Sequence, residues 1–164
     1  MNRYSARDIL NFVSALESSN IYELLFNRGI DIFVQPSLFR KDDTRDAIIL
    51  STPDGHTGIF LRIDPLQYPK YAAFLLWHEL GHYIIDGPNE HTRSFDLTGR
   101  LNHDESTVNM FTVFAMVPPE NVSRTNVLIK AADSGIPSEV MIDIMFRLSL
   151  EVDDELQHYY DEYK

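Results

Sequence analysis

Residues 77–83 read Trp77, His78, Glu79, Leu80, Gly81, His82, Tyr83, and the reading of this WHELGHY stretch decides how the rest of the chain is understood. It carries HExxH inside a run that is apolar almost all the way round, from Tyr71, Ala72, Ala73, Phe74, Leu75 and Leu76 on one side to Ile84 and Ile85 on the other. Side chains four apart on a helix share a face, so His78 and His82 can donate two nitrogens to one metal ion. Glu79 is turned about 100° from His78. It can therefore reach a water beside the metal without being a ligand. A helix this apolar belongs in the interior, where two imidazoles and a carboxylate are costly without partners, and a divalent cation removes that cost. Gly81 costs the helix roughly 0.5 to 1 kcal/mol relative to alanine. Its presence suits the close approach of another backbone or of a substrate. Short motifs also arise by chance, and the helical, apolar setting is what separates this one from coincidence.

The chain has 164 residues, the size of one domain with a proper core, which we divide into a core with the metal site at 1–118 and a helical part at 119–164. A net charge of -11 argues against nonspecific nucleic-acid binding, which relies on basic residues at phosphates. Partners are then proteins or small molecules. There is no cysteine, hence no disulfide framework and no thiolate metal site; the ligands must be nitrogen and oxygen. Charges are scattered through the first residues with no apolar segment and cleavage site behind them, and no run is long enough to span a membrane. These features suit a cytoplasmic protein.

Ser5 is a plausible N-cap for an amphipathic helix over 6–18 with Ile9, Leu10, Phe12, Val13 and Leu16 on one stripe. A second helix over Ile21–Asn27 should stop at Gly29. Strands are expected over 31–35, 47–50 and 57–63, the last two forming a hairpin about Pro53, Asp54 and Gly55. The polar stretch 39–45 reads as a solvated connector, with the lining of a cleft as the other reading. Asp86, Gly87 and Pro88 end the motif helix. A polar loop over 89–102 follows, with His91 and His103 near its ends, where surface histidines are the commoner case. Further helices are expected over 104–116, closed by Pro118 and Pro119, over 120–132, and after the N-cap Ser138. The acidic, aromatic tail 151–164 reads as a solvated last helix.

A catalytic zinc site keeps three protein ligands and one open position, and without cysteine the third is naturally a carboxylate. Glu105 is the candidate, Asp104 the rival, and both could instead be first-turn acids favouring the helix dipole. Asn109, one turn after Glu105, could accept from the outer nitrogen of a ligand histidine and fix its tautomer. Tyr83, His91 and His103 are candidates for stabilising an oxyanion.

With these residues the chain resembles the ImmA/IrrE family of metallopeptidase domains, whose pattern is a HELGH helix followed by ExxAN, a phenylalanine, small residues and LLMP. Glu105, Asn109, Phe111 and Pro118 fall in register with it, while Val108, Thr112, Val113 and the AMV of 115–117 depart from it in packing positions. Outside the motifs, 22–34 is similar to the family's helix-then-strand opening and 135–148 to its closing helix-turn-helix element. The resemblance implies His78, His82 and Glu105 as metal ligands and Glu79 as the catalytic residue, and supports Glu105 over Asp104. It implies an α+β, zincin-like fold, with a small, mainly antiparallel sheet packed on the HExxH helix and other helices around it. The expected activity is zinc-dependent hydrolysis of one cytoplasmic protein, by analogy a helix-turn-helix repressor, with the peptide bound extended at the sheet edge. A regulator that keeps fold and metal but binds its partner without cutting it is the alternative. A structural zinc module fits less well, since such sites are closed and rich in cysteine.

Overall fold

A computed structural model describes residues 4–87, 105–117 and 133–150. The loop expected at 89–102, His91, His103, Asp104, the stop at Pro118 and Pro119, the helix expected at 120–132 and the tail 151–164 lie outside the described residues. The described residues are mixed α+β, with five α-helices and one three-stranded sheet, and belong to two compact units. One unit lies within Glu17–His103, the other within Met1–Leu16 and Asp104–Lys164.

The second of these is helical. α1 (Ala6–Ser14) starts at a capping box in which Ser5 Oγ accepts from the Asp8 N–H and the Asp8 carboxylate accepts from the Ser5 N–H at 2.8 Å. It stops earlier than its apolar stripe suggests. Ser14 donates back to the Leu10 carbonyl at 2.8 Å and Leu16 closes a tighter turn on Val13, while Ser18 is drawn into the start of the next helix. α1 packs against α4 (Glu105–Met116), and α4 against α5 (Ser138–Leu150). Ile9, Leu10, Met110, Phe111 and Ile144 are fully buried in this unit.

The other unit carries the sheet. α2 (Ile21–Asn27) is capped by Asn20, whose side chain accepts from the N–H groups of Tyr22 and Glu23, and the chain leaves it through Gly29 at φ 64, a conformation that favours glycine. β1 (Ile30–Val34), β2 (Ala47–Ser51) and β3 (Thr57–Leu61) follow, and the sheet order is β1-β3-β2. The expectation of a mainly antiparallel sheet is corrected here: β2 pairs β3 antiparallel as a hairpin, but β1 pairs β3 in parallel, Ile32 opposite Ile59. The reason is that β3 is buried at every position except the partly covered Phe60, so it takes the centre and needs two neighbours, whereas β1 is exposed enough to sit at an edge. β1 joins the far side of β3 and runs parallel to it. On the outer sheet face Phe33 and Phe60 stack at 4.9 Å between centroids, over Gly58, where a Cβ would come within 2.8 Å of the Phe33 ring.

α3 (Pro69–Asp86) starts with Pro69 in its first turn and ends at Gly87 with φ 85. It packs along β2 and also meets β3 and α2. The connector 39–45 is mostly exposed but pinned. Phe39 is buried beneath the Arg62 guanidinium, which also donates to Asp46 at 2.7 Å and to the Asp43 carbonyl at 2.7 Å, and Tyr71 of α3 donates to the other Asp46 oxygen.

The Arg45 side chain, bound to the Asp43 carboxylate at 2.8 and 3.0 Å, holds that carboxyl down at about 2 rather than the ordinary 3.8. A depressed pKa means this pair contributes stability above about 3.8 and loses it as pH falls toward about 2. Carboxyl NMR titration should find the Asp43 midpoint near about 2 in the wild type and closer to 3.8 in Arg45→Ala; an unmoved midpoint would remove Arg45 as the cause.

Candidate metal centre

The chemistry-bearing residues of α3 lie in its middle and last turns, on a helix whose other positions are filled by Leu75, Leu76, Trp77 and Leu80, all buried. That packing turns the polar side chains inward with little exposure: Glu79 and His82 each retain 7%. The rings of His78 and His82 meet edge to face with centroids 4.9 Å apart, as the four-residue spacing requires, and Phe74 flanks His78 at 6.0 Å.

His82 Nδ1 lies 3.1 Å from Asp86 Oδ2. An ionised carboxylate only accepts, so Nδ1 carries the proton and donates, and in the neutral imidazole Nε2 then keeps its lone pair for a cation. Asp86 therefore sets the tautomer of His82, a role beyond the helix stop read from the sequence. The signal was there in the spacing, since Asp86 stands one helical turn after His82.

Glu79 points elsewhere. Its Oε2 accepts from the main-chain N–H of Ile49 on β2 at 3.0 Å, a buried hydrogen bond between α3 and the strand beside it. A buried N–H needs an acceptor and a buried carboxylate needs donors, so each satisfies the other. No side-chain pattern could have announced Ile49, because the group involved is present in every residue but proline.

Glu105 is the first residue of α4 and remains exposed, with Asn109 half-buried one turn later. Among the described residues, His78, His82 and Glu105 form a group that could hold a metal ion, each offering one ligand atom and all three atoms within 4.8 Å of one another. Two imidazole nitrogens and one carboxylate oxygen suit a divalent transition metal and leave room for a further ligand. Tyr83 is half-buried on α3. No helix among the described residues is long and apolar enough to cross a membrane. In comparisons with known proteins, no family model, no curated protein and no solved structure matches this chain.

The Asp86 contact generates a test. Asp86→Ala should lower zinc affinity about 10- to 100-fold in competition with a chromogenic chelator, while far-UV circular dichroism stays at the wild-type level. Unchanged affinity would reduce Asp86 to a helix-end residue.

Proposed function

We propose that this chain is a zinc-dependent endopeptidase of the ImmA/IrrE kind with a zincin-like fold, acting on a cytoplasmic helix-turn-helix repressor. The observation that carries the reading is the division of labour on α3: His78 and His82 belong to the possible ligand group with Glu105, while Glu79 is turned to β2 and stays out of that group. A ligand pair with a separate carboxylate is what hydrolysis requires and what metal storage does not. Bound zinc would supply polarisation of a scissile carbonyl and acidification of a water. Glu79 then takes the proton from the attacking water and passes it to the leaving amine nitrogen. Asp86 keeps His82 in its ligating tautomer.

The substrate side rests on the resemblance and on charge. A net charge of -11 disfavours DNA and attracts a basic DNA-binding protein, raising the encounter rate in a salt-dependent way. A substrate segment would be a flexible linker or a locally unfolded stretch, able to lie extended along a sheet edge.

One observation favours the second reading, a regulator that binds its repressor without cutting it. The Glu79 carboxylate already has a structural occupation at Ile49, so its presence does not by itself demand a proton-transfer role. Glu79→Gln separates the two, because an amide oxygen can still accept from Ile49 but cannot act as a general base.

Purified wild type should carry about one zinc per chain, and Glu105→Ala should surrender it far more readily than Asp104→Ala, as metal analysis after dialysis will show. Equal retention would refute Glu105 as a ligand. Glu79→Gln should keep fold and zinc yet leave a cognate helix-turn-helix repressor uncut. Release of that repressor from its operator by wild type and Glu79→Gln alike, with no cleavage, would establish the binding-only reading instead.

A further inference from the structure

β2 has one strand neighbour among the described residues, β3, and its other edge is not paired with a strand. The even-numbered residues along it direct their main-chain groups toward β3: Arg62 N–H reaches the Asp46 carbonyl at 2.9 Å, and Thr52 N–H reaches the His56 carbonyl at 2.7 Å. Main-chain groups alternate in direction along a strand, so those of Ala47, Ile49 and Ser51 turn to the other edge. The N–H taken by Glu79 at 3.0 Å is one of these outward groups, and it lies in a covered place, with Ile49 at 4% and Glu79 at 7% exposure.

The two partners differ in freedom. Ile49 N–H is held by a hairpin whose neighbouring residues are bonded to β3, whereas a glutamate side chain rotates about several bonds before it reaches its carboxylate. The main chain therefore decides where the carboxylate stands. With Oε2 committed to Ile49, Oε1 is the oxygen left for other chemistry.

We propose that the main-chain N–H of Ile49 is the positioning group for Glu79, holding one carboxylate oxygen so that the other faces the attacking water. The idea rests on the peptidase reading above. In the step it serves, a water O–H bond breaks as the water oxygen bonds to the scissile carbonyl carbon, and the proton goes to Glu79 Oε1. That proton then passes to the amine nitrogen as the C–N bond breaks. A base must stand within about 2.6 to 3.2 Å of the group it deprotonates, a tolerance that a freely rotating side chain meets only part of the time.

The test has two arms. In amide hydrogen exchange followed by NMR on the full chain, the Ile49 amide should exchange slowly in wild type and in Glu79→Gln, and much faster in Glu79→Ala. Equal rates in wild type and Glu79→Ala overturn the proposal, whatever the activity of the protein. In the second arm, Ile49→Pro removes the N–H at an edge position where proline does not break the pairing with β3. Ala47→Pro places the same change at an outward position away from Glu79. On one unstructured peptide that wild type cuts, picked from a library by mass spectrometry, zinc-loaded Ile49→Pro should lose about ten- to a hundredfold in kcat with KM nearly unchanged. Ala47→Pro should keep its kcat. Wild-type kcat in Ile49→Pro, or an equal loss in Ala47→Pro, overturns the positioning role. Should Ile49→Pro fail to fold, semisynthetic replacement of the Ile49 amide by an ester removes the same N–H with the side chain kept, and should give the same loss in kcat; an unchanged kcat overturns the positioning role. A zinc-loaded wild type that cuts no peptide and no repressor refutes the peptidase reading and takes the catalytic use of Ile49 with it; the exchange rates would show separately whether the bond itself exists.

Discussion

Placing a carboxylate in the interior beside two imidazoles obliges each polar atom to be matched, and on α3 the matches run in different directions. Glu79 is answered by a strand, through the Ile49 N–H at 3.0 Å, and His82 by its own helix, through Asp86 at 3.1 Å. An unanswered buried polar group costs on the order of 1 to 3 kcal/mol, more when charged. That penalty ties the angular setting of α3 to β2: turning the helix by one residue would carry Glu79 away from the strand and leave both groups exposed to it. The apolar residues around the motif bring the helix inside, but the polar contacts say which way round it sits.

The same contacts order the two imidazoles of the possible ligand group. Asp86 leaves His82 with its Nε2 lone pair available, and the edge-to-face ring packing at 4.9 Å keeps His78 beside it. Were a cation to bind there, these two rings would have little side-chain freedom left to lose. Glu79, drawn to the strand, stays outside the possible ligand group.

Much of the fold was legible because it is written in local chemistry. Gly29 marks the end of α2, Gly87 that of α3, and the turn about Gly55 the β2–β3 hairpin. What escaped depends on distant or anonymous groups. α1 is shorter than its stripe because Ser14 and Ser18 spend their hydroxyls on other partners. The burial pattern of residues 30–34 suits an edge strand but carries no direction, so the parallel docking of β1 was not legible. Asp86 could have been paired with His82 by spacing alone; Ile49 could not, since a main-chain N–H has no signature in the alphabet of side chains. Glu105 was reached from the requirement for an oxygen ligand and from the family resemblance together.

The mixed sheet also orders events in time. The β2–β3 hairpin closes through a five-residue connection, 52–56, and such hairpins form in about 1 to 10 μs. β1 can join only after the longer connection 35–46 has been folded back, an entropic delay that grows with loop length. The strand that holds Glu79 is therefore assembled before the sheet is complete, and α3 has a template to dock on while β1 is still searching for its place.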